Sequence, residues 1–265
     1  MSKILIIVGH GKSKTGGYDS GAVSGRNHEF KIAREIAKYA VEYYNANYSE
    51  QCDLMNYDGD LYLQERINRL QDKTYDFIAE IHLNAGGGTG TEAYYYHSSE
   101  NCKKYALAIS ESISSALGIK NRGAKTKLTA GGKDYFGIIR DTKPTSVLVE
   151  TAFIDTNDIN KILDVNGQKL CGKAIAEGIW KVRGGKADEQ PKPQESFYGG
   201  RKIALDKAPI FISSDAKNLS VRYTGIYYLY DGKSFNGRYR ICKEKGQCGG
   251  KISYVLGYVN KADIK

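Results

Sequence analysis

Ile4-Leu5-Ile6-Ile7-Val8-Gly9-His10-Gly11 is an unbroken apolar run closed by a histidine between glycines. Phe77-Ile78-Ala79-Glu80-Ile81-His82-Leu83-Asn84-Ala85 repeats the arrangement later in the chain. Apolar runs of this kind suit strands buried on both faces of a parallel sheet. In open α/β sheets, ligands collect outside the carboxyl ends of such strands. Imidazoles delivered there from two strands can converge on one metal ion. Only four histidines occur in 265 residues, so two in matching contexts form a signal.

Working outward, strand patterns fall near 3–8, 76–83, 91–97 and 146–152, with weaker ones near 51–55 and 137–140. Helix patterns run roughly 28–45, 61–72, 100–117 and 167–182. In the last, Leu170, Ala174, Ile175, Ile179 and Val182 fall near one face. The alternation predicts an α/β fold, an open, twisted, mostly parallel sheet flanked by helices. The stretch 184–196 reads as a linker, holding two of the four prolines and no large apolar residue. Beyond it, short Tyr/Ile/Val-rich runs are punctuated by Asp231-Gly232, Asn236-Gly237 and Gly249-Gly250. These turn signals predict a small all-β barrel domain. The expected division is therefore 1–183, linker 184–196, and 197–265.

The 41% hydrophobic content supports a packed core. No run approaches the roughly 18 apolar residues needed to span a bilayer, so no membrane partner is expected. The start, Met1 to Val8, is too short and too quickly interrupted for a signal peptide, so the chain is expected to begin life in the cytoplasm. Five cysteines without a C-x-x-C pair favour free thiols, with Cys242 and Cys248 able to pair on oxidation. Residues 197–265 hold 13 lysines and arginines against 5 acidic residues, a net of +8 within a chain total of +9. A basic module attached to a neutral one points to a polyanionic partner.

A catalytic zinc typically takes three protein ligands, often two His and one carboxylate. His10 and His82 supply the nitrogens. Glu29, near the start of the first helix, qualifies as the third ligand; His28 is its rival. Adjacent helical positions diverge by about 100°, so the two would not both reach. His97 closes a Tyr-rich strand and is expected to face solvent. Glu150, in Ser146-Val147-Leu148-Val149-Glu150-Thr151-Ala152, would be costly if buried unpaired. Either it meets a cation, with Arg140 the obvious partner, or it opens into a polar pocket as a general base and acid. Two glycine-rich loops resemble nucleotide motifs and fail on context. Gly9-His10-Gly11-Lys12-Ser13 lacks the earlier glycine, and Gly88-Thr89-Gly90-Thr91-Glu92-Ala93 precedes a strand.

Four ordered blocks make the constellation familiar: Gly9-His10-Gly11 with Asp19-Ser20-Gly21-Ala22, then Glu29, then Ile81-His82-Leu83-Asn84-Ala85, then Val147 to Ile154. Leu63-Gln64-Glu65-Arg66 and Ile139-Arg140-Asp141-Thr142 also match. Residues 3 to about 182 resemble the catalytic domain of zinc-dependent N-acetylmuramoyl-L-alanine amidases, found in bacterial autolysins and phage endolysins. The resemblance implies His10, Glu29 and His82 as Zn2+ ligands and Glu150 as the catalytic carboxylate. Its substrate would be the amide joining N-acetylmuramic acid to L-alanine in peptidoglycan. Zinc would polarise the carbonyl and acidify its water, while Glu150 would take the water proton and return it to the departing amine. Asn84 and Arg140 are candidate substrate contacts, and the loop 84–91 and the segment 125–135 are expected to flank the carboxyl ends of the strands and contact substrate.

Residues 197–265 resemble, more diffusely, a bacterial Src-homology-3-like wall-binding domain. The matching stretches are Ala208 to Phe211, Gly225 to Asp231, Asn236 to Ile241 and Gly257 to Val259. The resemblance implies binding to peptidoglycan or an anionic secondary wall polymer through Tyr faces and Arg/Lys charge. Nucleic acid is the rival polyanion; no contiguous aromatic platform is readable for it, and none is expected as partner. Together these readings describe an endolysin made in the host cytoplasm and acting on the wall after release. The rivals are another zinc wall hydrolase, such as a peptidase or deacetylase, and a non-enzymatic polyanion-binding protein.

Overall fold

Alternation along the first strand fixes the layers. In a computed structural model that describes residues 3–71, 75–184, 200–216, 221–235, 237–249 and 251–264, β1 (Lys3–Val8) is buried almost throughout. Ile4, Ile6 and Val8 join one buried cluster, while Leu5 and Ile7 join another. Side chains of a strand point alternately to opposite faces, so the two clusters lie on the two sides of the sheet.

The chain divides into two compact units, Met1–Lys192 and Pro193–Lys265. After β1 the first unit runs α1 (Glu29–Asn47), β2 (Gln51–Met55), α2 (Leu63–Asn68), β3 (Phe77–Asn84), β4 (Thr91–Tyr95), α3 (Glu100–Leu117), β5 (Asn121–Lys125), α4 (Gly137–Arg140), β6 (Thr145–Phe153) and α5 (Val165–Arg183). The sheet order is β2-β1-β3-β6-β4-β5. Every pairing is parallel except β6 with β4. The expected mostly parallel sheet flanked by helices is therefore present.

The two faces are covered unequally. Helices α1, α3 and α5 pack over Ile4, Ile6, Phe77, Ala79, Val147 and Val149. The other face meets Ile67 and Leu70 at α2 and Ile138 and Ile139 at α4. Those helices have six and four residues, too few to roof a six-stranded sheet. The uncovered remainder is a cleft.

Two expectations about elements are corrected. Residues 137–140, expected as a weak strand, form α4, whose Ile138 and Ile139 bury against Leu5, Ile78 and Leu148. Two adjacent isoleucines satisfy either element, and periodicity cannot separate them over so short a run. The sequence does not predict β5, because Asn121-Arg122-Gly123-Ala124-Lys125 has no apolar pattern; it is an edge strand paired with β4. Apart from Gly184, the linker expected at 184–196 lies outside the described residues.

The second unit is a closed barrel of β7 (Lys202–Phe211), β8 (Val221–Phe235), β9 (Arg238–Cys242) and β10 (Gly257–Asn260), all paired antiparallel. Ile203, Leu205, Ile210, Leu229, Ile241 and Val259 fill it. The turn expected at Asp231-Gly232 is absent, because β8 continues to Phe235, with a register shift between Leu229 and Ser234. Cys242 and Cys248 are free thiols with sulfurs 3.2 Å apart.

Close helix packing rests on Gly172. A Cβ built there would lie 2.7 Å from Ala40 N and 2.8 Å from Ile36 O, against the backbone of α1. Gly172→Ala should therefore destabilise the first unit by about 1–3 kcal/mol of overpacking, more than the roughly 0.5–1 kcal/mol that alanine gains in a helix. Thermal unfolding checks this, and an unchanged Tm would contradict such close packing.

Candidate metal centre

The thinly covered face carries the polar residues by the same alternation that buries the apolar ones. On β3, Phe77, Ala79, Ile81 and Leu83 belong to the cluster under the long helices. Glu80, His82 and Asn84 therefore point to the cleft, and all three line it. On β6, Val147 and Val149 face the long helices, which turns Glu150 the other way. His82 and Glu92 are the register partners of Glu150 on the two flanking strands, so the three form a row across β3, β6 and β4.

Two loops complete the group. His10 follows β1 with φ 62°, a left-handed conformation uncommon for a side-chain-bearing residue. Its carbonyl is captured by Asn56 Nδ2 at 2.8 Å and by an Arg66 guanidinium nitrogen at 3.1 Å. Glu29 opens α1, where the helix N-terminus favours negative charge. Its Oε2 accepts from Ala22 N at 2.7 Å and its Oε1 from Leu83 N at 3.0 Å.

The ligand atoms of His10, Glu29 and His82 all lie within 4.8 Å of one another. Glu29 Oε1 is 3.2 Å from His10 Nε2 and 2.9 Å from His82 Nδ1. The remaining ring nitrogens meet carboxylates: His10 Nδ1 is 2.9 Å from Asp19, and His82 Nε2 is 3.1 Å from Glu80. His28 stands outside this group. Burial alone would raise Glu29, yet hydrogen bonds and charge from the two imidazoles hold its carboxyl well below the usual range. Burial opposes charge on His82, but its bonds to Glu29 and Glu80 raise it well above an ordinary histidine. His10 is raised in the same sense: burial works against its charge, and Glu29 is its foremost support.

Glu150 has the opposite environment. Burial pushes its carboxyl up to about 7, with Glu29 and Glu92 adding to the rise and His82 opposing it. Its Oε2 is buried with no hydrogen-bond partner among the described residues. Arg140, considered as its counter-ion, instead pairs with Asp141 at 2.7 Å and donates to the Asp134 and Tyr135 carbonyls. Glu150 therefore opens into the cleft and is not paired with Arg140.

The cleft holds about 760 Å³. Asn84, Ala85 and Arg140 line it; residues 125–135, expected as a wall, do not, and Phe136 takes their place. The reason is that 125–135 folds on itself through Leu128 and Asp134, the latter ion-paired to His97 at 2.7 Å. His97 itself is exposed, as expected, with its Nδ1 turned to Asp134. Asn84 donates to Glu92 Oε1 at 2.9 Å, and Arg122 neutralises the same carboxylate at 2.6 Å. The glycine-rich loop after β3 is fixed: Gly86 N and Gly87 N donate to Asp155, and Gly90 N to Asp158. Asp19, Glu80 and Arg66 went unassigned in the sequence. Glu80 carried a readable signal, a charge inside an apolar strand two places before His82 and hence on its face.

Two glycines are demanded by this geometry. A Cβ at Gly9 would lie 2.2 Å from His82 Cε1, and one at Gly21 would lie 2.5 Å from Glu29 Oε2, at a backbone φ of +64°.

Residues 4–181 match the family described as N-acetylmuramoyl-L-alanine amidase. The chain belongs to that family. It is 32% identical over 183 residues to the N-acetylmuramoyl-L-alanine amidase LytC of Bacillus subtilis, covering 66% of this chain and 34% of that protein. The shared region thus spans about a third of LytC. An endolysin of Bacillus phage SPP1 is 26% identical over 260 residues, covering 92% of this chain and 86% of its own length. Among solved structures, the catalytic domain of CwlV, an N-acetylmuramoyl-L-alanine amidase from Bacillus (Paenibacillus) polymyxa var. colistinus, superposes with a TM-score of 0.59 at 26% identity. That match covers 69% of this chain and 98% of the other. The amidase-family region thus coincides with the sheet unit that carries the centre.

Gly9→Ala should drive the His82 ring from its place between Glu29 and Glu80. The expected outcome is a shift of the His82 ring signals in histidine 1H–15N spectra, with about 1–3 kcal/mol lost in urea unfolding. Unmoved ring signals would contradict the close approach.

Proposed function

We propose that this chain hydrolyses the amide between N-acetylmuramic acid and L-alanine of peptidoglycan, with His10, Glu29 and His82 holding Zn2+ and Glu150 moving the proton. The observation that carries the reading is Glu150: a half-buried residue whose Oε2 is buried without a hydrogen-bond partner among the described residues, lining the same cleft as the two imidazoles and Glu29. Membership of the amidase family supports the bond chosen.

The donor set suits the ion. Two imidazoles and one carboxylate are a recurrent catalytic zinc set. Ligating histidines characteristically give their second ring nitrogen to a carboxylate, as His10 does with Asp19 and His82 with Glu80. When bound, zinc supplies Lewis acidity to the scissile carbonyl and lowers the pKa of water. Glu150, pushed up to about 7 by burial, is suited to take a proton near neutral pH and to release it to the departing amine. Glu29 keeps its charge through its backbone hydrogen bonds and its two imidazole neighbours, so it remains a ligand while Glu150 cycles.

The reading extends to the second unit. The barrel, with its net positive stretch of chain, would hold the enzyme on peptidoglycan or an anionic secondary wall polymer. Its resemblance to Src-homology-3-like wall-binding domains supports this. The likeness to a phage endolysin supports an enzyme that acts on the wall after release from the host cytoplasm.

Purified walls treated with the chain, with chelator, and with zinc restored provide the test. The expected products are new L-alanine amino termini without reducing sugars or acetate, lost on chelation and recovered with zinc. Glu150→Ala should lower turnover by at least about 10²–10⁴-fold, the usual contribution of general acid–base catalysis, while zinc content stays unchanged. Lysis that is indifferent to chelator, or undiminished in Glu150→Ala, would overturn the mechanism.

A further inference from the structure

Glu80 and Arg66 are among the most deeply buried charged residues, 2% and 4% exposed. Arg66 Nε is 3.1 Å from Glu80 Oε1. Buried ion pairs contribute little net stability compared with apolar residues of similar volume, so the pair calls for an explanation in what it holds. Glu80 Oε2 is 3.1 Å from His82 Nε2. That contact leaves His82 Nδ1 directed to Glu29 Oε1 at 2.9 Å. The same guanidinium donates to His10 O at 3.1 Å and to Leu61 O at 2.8 Å. One arginine at α2 therefore grips both histidine-bearing segments, one through a carboxylate and the other through a backbone carbonyl.

We propose that Arg66 and Glu80 are positioning residues for the divalent cation, a deepening that rests on the zinc reading above. Glu80 fixes the tautomer and ring plane of His82, so that Nδ1 carries the free lone pair. Arg66 fixes Glu80 and, with Asn56, secures the left-handed backbone at His10. Neither residue belongs to the His10, Glu29 and His82 group that would hold the cation. Outer hydrogen-bond partners of this kind typically govern metal affinity by 10- to 100-fold.

The test uses the full chain and reads metal binding directly, by Zn2+ competition with a chromophoric chelator and by the visible spectrum of the Co2+-loaded protein. Glu80→Gln should weaken Zn2+ binding by about 10- to 100-fold and alter the Co2+ bands. Arg66→Met alone leaves a buried carboxylate without its counter-ion and is expected to unfold readily. The paired change Arg66→Met with Glu80→Leu removes both charges at similar volume and should keep its Tm. The positioning role requires that this folded double variant also bind Zn2+ at least about tenfold more weakly. Wild-type Zn2+ affinity and Co2+ bands in either folded variant would overturn it. A wild-type chain that takes up neither ion would instead overturn the zinc reading, and this role with it.

Discussion

A strand can hide an apolar side chain only by turning its neighbour the other way, and the polar, cleft-lining face of this sheet is a consequence. Three long helices cover the face to which Ile4, Ile6, Phe77, Ala79, Val147 and Val149 point. The alternate positions, Glu80, His82 and Glu150, have nowhere else to go. Two helices of six and four residues leave them a cleft instead of a core. Packing on one side and chemistry on the other are thus set by a single periodicity.

Burying so much charge in one place requires mutual support, since an isolated charge there would cost several kcal/mol. Glu29 stands between two imidazoles, Glu80 between an imidazole and a guanidinium, and Glu92 between Arg122, Asn84 and Tyr94. Glu150 is the member whose carboxylate keeps an unpartnered oxygen among the described residues. Its environment accordingly favours the neutral form, whereas Glu29 and Glu80 are held ionised. Carboxylates within one small volume thereby acquire opposite protonation tendencies.

Much of this is legible in the sequence. β1, β3 and β6 announce themselves as apolar runs, and His10, His82 and Glu150 stand out because each interrupts or ends one. Glu29 was readable only as one of two neighbours; which of them reaches the centre depends on the loop from Gly9 to Gly25 returning over the sheet edge. The polar partners Asp19 and Arg66 were not assignable, because an aspartate in a loop or an arginine on a short helix has no pattern that names its contact. β5 lacks an apolar face, and α4 is too short to display a helical period, so both are products of tertiary pairing. Glu80 is legible only together with His82, two places on, because a lone charge in an apolar strand acquires meaning from the face it shares.

The anchoring of the glycine-rich loop has a consequence for how such a chain can change over time. Gly86, Gly87 and Gly90 hand their amides to Asp155 and Asp158, which leave the sheet on a different strand. Neither segment holds its course without the other. Lineages that lengthen or recompose one of these two segments must therefore alter the other in step, and variation should be inherited as a matched pair.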